Sequence, residues 1–443
     1  MKINIPTGAG EIINKLAKAG FDAYVVGGCV RDCLMGRTPG DWDITTNARP
    51  PEIKQVFAGR KMIDIGERHG TISIKSANGY YEVTTYRIDG TYGDGRRPDS
   101  VSFTDTLQED LCRRDFTINA MAYNDTKGLM DYFAGENDIK NKTIRCVGNA
   151  TERFAEDYLR IMRAYRFAAV LDFNLAADVR AAAVAGRKNL LNIAAERVQT
   201  ELVKLLLSNN FAAIEIFFED CADVLFPEIA ALKGLEQNTP YHCYDVYSHT
   251  FRALRHTPQD LALRLAALFH DVGKLHTKTT DDKGIDHFHG HSKISAQIAE
   301  KTLKNWRFDN NTSHRVISII KHHGIGINAD KLALKRLLNK FGPEMAKDIL
   351  TFQIADNMAK SQIAKDAKLQ EVMAAKDLLD EVINSGEPFK VTDLAITGQD
   401  IMQHLNIPPS AAVGENLSHL MEEVIKNPSL NNPNDLIALL RSR

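Results

Sequence analysis

Asp41 and Asp43 stand two residues apart in the run GDWDITT, and Glu82 follows in YYEVTTYR. Read as a strand, DWDIT (41–45) projects both aspartates from one face. Two carboxylates on one face offer hard oxygen ligands to Mg²⁺, a cation that bridges nucleoside triphosphate phosphates and activates an attacking hydroxyl. Glu82, from a neighbouring strand, would add a third carboxylate; its alternative is an ion pair with a nearby arginine. A bare Asp-x-Asp is common on surface strands, so the surroundings must decide. Gly27-Gly28 closes the apolar run 24–27 ahead of a predicted helix bearing Arg31 and Asp32. Such a strand–Gly-Gly–helix turn brings backbone N–H groups up to a triphosphate, with Arg31 placed to neutralise it.

A second constellation is EDYLR (156–160), predicted to be helical, with Asp157 and Arg160 one turn apart on a common face. Cytosine and adenine both present an amino donor beside a ring-nitrogen acceptor, whereas uracil and guanine present a carbonyl and an N–H. An Asp acceptor beside an Arg donor therefore suits C and A and opposes U and G. Arg163 and Arg166 continue the row at three-residue spacing; surface ion pairing is the alternative for all of them.

The ordered set GGCVRDCLMG, GDWDITT, EVTTYR and RRDFTINAMA resembles the nucleotidyltransferase superfamily, specifically the bacterial class II tRNA nucleotidyltransferases and their poly(A) polymerase relatives. The resemblance covers most of the chain. It implies that Asp41 and Asp43 bind catalytic Mg²⁺, that Gly28, Arg31 and Arg114 contact the nucleotide, and that Asp115 and Asn119 lie near its sugar. It further implies that Glu156, Asp157 and Arg160 read the incoming base, that Arg163 and Arg166 hold phosphates, and that ERVQTEL braces the neck, with Glu196 and Arg197 in a structural role. The segment YRIDGTYGDGRRPDSVSF (86–103), with Gly90, Gly93 and Gly95 giving it backbone freedom, resembles the flexible segment of complete CCA-adding enzymes. The implied activity is template-independent addition of C, C and A to a tRNA 3′ end from CTP and ATP. Poly(A) polymerase, CC-only and A-only enzymes share nearly every head motif and remain alternatives.

His249, His270-Asp271 in ALFHDVGK, and Asp356 follow in the order and spacing of an HD phosphohydrolase domain. Two imidazoles and two carboxylates suit a divalent transition metal. By resemblance His291 and His322 would supply a second metal or contact substrate phosphate, while His287, His289 and His323 are read as incidental. Phosphatase or cyclic phosphodiesterase activity is implied, with a purely structural body as the alternative.

The elements that must position these residues fall in two regimes. Short strands and helices alternate to about residue 150, including a hairpin over 71–87 turned at Asn78-Gly79; Ala/Leu-rich helical segments follow. The expected fold is α+β, a small mixed-sheet head followed by a long helical body and tail. The expected domains are a catalytic head (1–148), a nucleotide-reading neck (149–226), an HD domain (227–365) and a tRNA-binding tail (366–443). In the body, KLALKRLLNK is predicted to present Lys331, Lys335, Arg336 and Lys340 on one broad face for tRNA phosphates, or to be a plain amphipathic surface helix. The 443 residues carry a net charge of −2, which lends RNA binding no support and throws it onto local basic patches. The six scattered cysteines form no CxxC pair, and neither a leader-like nor a bilayer-length apolar run is present, so a cytoplasmic protein with free thiols is expected.

Overall fold

The computed structural model describes residues 2–66, 69–77, 79–90 and 100–442, which divide into two compact units, Met1–Leu225 and Phe226–Arg443. Up to residue 131 the first unit carries nine strands among the described residues. These are β1 (Ala23–Val26), β2 (Asp43–Thr46), β3 (Met62–Gly66), β4 (Thr71–Ser76), β5 (Gly79–Thr85), β6 (Arg87–Asp89), β7 (Val101–Phe103), β8 (Met121–Asn124) and β9 (Gly128–Asp131). Seven of them form one mixed sheet in the order β3-β4-β5-β2-β1-β8-β9, with β2 and β5 parallel and the other pairings antiparallel.

Strand alternation explains why β1 is apolar throughout. Ala23 and Val25 enter the core under the Thr7–Lys18 and Pro50–Val56 helices with Ile12, Leu16, Ile53, Ile44, Ile74 and Val83, while Tyr24 and Val26 enter a second core with Tyr86, Leu111 and Ala122. Each such aliphatic side chain removed from water contributes roughly 1.5–3 kcal/mol. The predicted hairpin over 71–87 is present as β4 and β5; Asn78 lies outside the described residues. β6 and β7 pair as a separate ribbon, closed where the Gly90 N–H donates to the Ser100 carbonyl (2.8 Å). Gly93 and Gly95 also lie outside the described residues.

Beyond the sheet the chain is helical, as expected. Asn149 caps the Ala150–Glu156 helix by accepting from the N–H groups of Thr151 and Glu152. EDYLR is not one helix, however. Asp157 is extended (φ −139°, ψ 106°), its Oδ1 accepts the Leu159 N–H, and a new helix runs over Leu159–Leu171. An Asp side chain that satisfies the backbone at a helix start competes with helix continuation, and here it wins.

In the second unit, the Lys331–Met358 helix is kinked at Gly342 (φ 75°) ahead of Pro343 and shares one apolar core with the Gln370–Asn384 helix through Leu334, Leu338, Ile349, Val372 and Leu379. That core is continuous across residue 366, while Ile401, Leu420, Val424 and Leu436 of the last three helices form another. Of the predicted basic face, Lys331, Arg336 and Lys340 are exposed and Lys335 is not. Lys335 is 4% exposed and ion-paired with Glu387, and Arg336 is paired with Glu422. Lys331 and Lys340 remain exposed, the latter over the Phe341 ring. Among the described residues no helix is long and apolar enough to cross a membrane, and all six cysteines carry free thiols.

Candidate active sites

Asp43 opens β2, with Asp41 in the irregular stretch just before it, so the strand begins two residues later than predicted. Sheet register brings the rest of the head site together. Asp43 pairs with Val26, the residue before the Gly27-Gly28 turn, and one step ahead of the Ile44–Val83 pair it neighbours Glu82. Burial, then Asp41 and more distantly Glu82, push the Asp43 carboxyl up, while Arg114 pulls it down. Three mutually repelling carboxylates, all oxygen donors, fit a hard divalent cation.

Gly27 caps the Gly28–Leu34 helix at φ 84°, ψ −128°. A Cβ built there would meet Arg114 Nη1 at 2.8 Å, so the guanidinium lies directly across the turn. Arg31 sits beside Gly28, donates to Asn119 Oδ1 (2.5 Å) and pairs with Asp32. Asn119 in turn donates to Asp115 Oδ1 (3.1 Å), and Asp115 Oδ2 accepts from Arg163 Nε (2.8 Å). Although burial works against it, Arg163 and the Asn119 amide hold the Asp115 carboxyl down at about 2. Arg166 pairs with buried Glu201 (2.7 Å), and Arg31, Arg163 and Arg166 all face the Phe167 ring. Nearly all the predicted head residues therefore form one connected network.

Two pairings differ from expectation. Because of the break at Asp157, that carboxylate is held by Arg197 (3.0 Å), whereas Arg160 pairs with Glu156 and donates to the carbonyl of Arg113 (3.1 Å). Arg197, expected to brace, does so by holding Asp157.

In the second unit His249, His270, Asp271 and Asp356 converge. His249 Nε2 lies 2.9 Å from Asp356 Oδ1 and 3.4 Å from His270 Nε2, and His270 Nε2 lies 3.2 Å from Asp271 Oδ2. Lys274 and Lys360 balance the two carboxylates at 2.7 and 2.6 Å. Burial pushes the His270 imidazolium down, but Asp271 and Asp356 outweigh it and hold it at about 9. The buried nitrogen–oxygen donor set fits a transition metal.

His291 joins a second group with Asp271 and His323, whose Nε2 lies 3.3 Å from His291 Nε2. His322, expected here, instead packs on Phe341. The signal was present: Val316, Ile319, Ile320 and His323 make one helical stripe and all are buried. Half-buried His242, whose ring is 5.1 Å from that of His249, carries no sequence signal. His287 and His289 stack on each other at the wall of a cavity of about 600 Å³ that the group opens onto.

Comparison with known proteins matches three successive parts of the chain. Residues 23–145 match the poly A polymerase head domain, 172–233 the probable RNA and SrmB-binding site of polymerase A, and 240–361 the HD domain. The chain is 33% identical to a CCA-adding enzyme of Bacillus velezensis over 97% of this chain and 96% of that one. It is 32% identical to that of Ligilactobacillus salivarius over 96% and 94%. A Leuconostoc mesenteroides CCA-adding enzyme is 47% identical, over 48% of this chain and 53% of that relative. Among solved structures, the Bacillus stearothermophilus CCA-adding enzyme in complex with CTP superposes with a TM-score of 0.74 at 28% identity, covering 98% of this chain and 96% of that one.

Proposed function

This chain belongs to the CCA-adding enzyme family, and from that premise we propose that it adds C, C and A to the 3′ end of tRNA from CTP and ATP without a template. The observation that carries the catalytic reading is the meeting of Asp41, Asp43 and Glu82 beside the Gly27-Gly28 turn, with Arg114 laid across it. Asp41 and Asp43, with Glu82, would hold Mg²⁺. That ion supplies alignment and charge stabilisation for attack of the tRNA 3′ hydroxyl on the α-phosphate.

The chain's own groups do the rest. N–H groups at the start of the Gly28–Leu34 helix, with Arg31 and Arg114, receive the triphosphate. Asp115 and Asn119 take the sugar side, and Arg163 and Arg166 lend positive charge. Asp157 accepts the exocyclic amino group of C or A, and Arg160 donates to the ring nitrogen. Glu156 and Arg197 hold these two readers rigid, so that positioning supplies much of the rate. Replacing Asp43→Asn should lower C addition on the order of 10²-fold or more while tRNA affinity stays nearly unchanged. Full activity in that variant would sink the metal assignment.

His249 and His270 meet Asp271 and Asp356, and those two carboxylates line the cavity with His291 and His323, which favours a second reading, hydrolysis of phosphate esters in the HD domain. A divalent transition metal there would supply Lewis-acid activation of the ester; Lys274 and Lys360 would meet its negative charge. His270→Gln should abolish metal uptake and hydrolysis and spare nucleotide addition. Hydrolysis that survives it would place the activity elsewhere. The tail is assigned to gripping tRNA by shape. A tRNA substrate and six free thiols support a cytoplasmic location.

A further inference from the structure

Asp110 lies in the short Leu107–Cys112 helix, is fully buried (0% exposed) and has no role in the scheme above. Its two oxygens gather groups from three separate segments. Oδ2 accepts the Thr45 hydroxyl at 3.0 Å, and Thr45 stands two residues along β2 from Asp43, on the same face. Oδ1 accepts the backbone N–H of Arg87, the first residue of β6, at 3.3 Å. Oδ1 also accepts Nε and Nη2 of Arg113 at 3.0 and 2.9 Å. Arg114 Nη2 lies 3.8 Å from Oδ2.

The Arg114 guanidinium needs such an anchor. It is half-buried, its Nε is buried without a partner among the described residues, and Arg113 beside it repels it. Asp110 is its strongest opposite charge, ahead of Asp43 and Asp115. Its Nη1 nonetheless rests over Gly27, within 2.8 Å of where a Cβ would be. A carboxylate on its other edge restrains a guanidinium in that position. Asp110 faces that edge, and through Thr45 it refers Arg114 to the strand that carries Asp43. The same residue steadies Arg113, whose carbonyl receives Arg160.

We propose that Asp110 is a positioning residue for the nucleotide: it sets Arg114 against the Gly27 turn and ties that placement to the catalytic strand and the base of the β6–β7 ribbon. The proposal rests on the reading that Arg114 contacts the nucleotide. Asp110→Asn keeps the side chain's size and removes its charge. Its effect belongs in the CTP dissociation constant, measured by equilibrium dialysis, and not in the dissociation constant for tRNA lacking CCA.

A cycle of wild type, Asp110→Asn, Arg114→Ala and the double variant decides the matter. Arg114→Ala should weaken CTP binding on the order of tenfold or more. Asp110→Asn should weaken it severalfold in the wild-type background and hardly at all once Arg114 is gone. Equal losses in both backgrounds would mean that Asp110 acts independently of Arg114, and would overturn the proposal. So would unchanged CTP binding in Asp110→Asn alongside a loss in Arg114→Ala, though the function of the head would stand. If Arg114→Ala itself binds CTP normally, the reading of Arg114 fails first and the proposal falls with it. Should Asp110→Asn fail to fold, Thr45→Val withdraws one hydrogen bond and leaves the charge in place. A smaller loss of CTP affinity, again abolished without Arg114, is then expected, and no loss overturns the proposal.

Discussion

At Gly27 the backbone adopts φ 84° and ψ −128°, a region essentially closed to side-chain-bearing residues, and Arg114 fills the space a Cβ would take. Gly27→Ala therefore meets two costs. The backbone strain should lower the head's stability by about 1–3 kcal/mol in denaturant titration, and displacement of Arg114 should weaken CTP binding besides. An alanine variant of wild-type stability and affinity would show that neither constraint operates. Candidate residues stood out where short-range spacing marks them: Asp41 and Asp43 two apart, His270 next to Asp271, Gly27 next to Gly28. Which partner each residue takes was not legible. Asp157 pairs with Arg197 forty residues on and Lys335 with Glu387, and no local period specifies such contacts.

Element by element, strands were easier to read than helix breaks. Ile72 and Ile74 alternate and both are buried, as in β4, and apolar 24–26 became a central strand because both its faces are covered. EDYLR kept helical spacing yet broke, because Asp157 served the Leu159 N–H in place of the helix. The break matters to the function proposed. It puts Asp157 at a helix start, aimed by Arg197, while Arg160 enters the following helix and turns back to Glu156. KLALKRLLNK likewise has an amphipathic period, but the second core against the Gln370–Asn384 helix draws in a wider face and takes Lys335 with it. Composition alone cannot say how wide a buried face will be.

For the whole molecule, a net charge of −2 does not mark a nucleic-acid binder. The positive charge is local: Arg31, Arg114, Arg160, Arg163 and Arg166 gather in one unit, each beside a carboxylate. The metal-fitting histidines belong to the other unit. The two proposed chemistries lie in separate compact units and need not share residues, so loss of one should spare the other. One experiment bears most directly on the head: purified protein with Mg²⁺ and a tRNA ending at the discriminator base, supplied with CTP alone, ATP alone, or both. Growth by two nucleotides with CTP and by three with both is the expected result. Two additions that never proceed to A, a long A tail, or extension only of tRNA already ending in CC would contradict it.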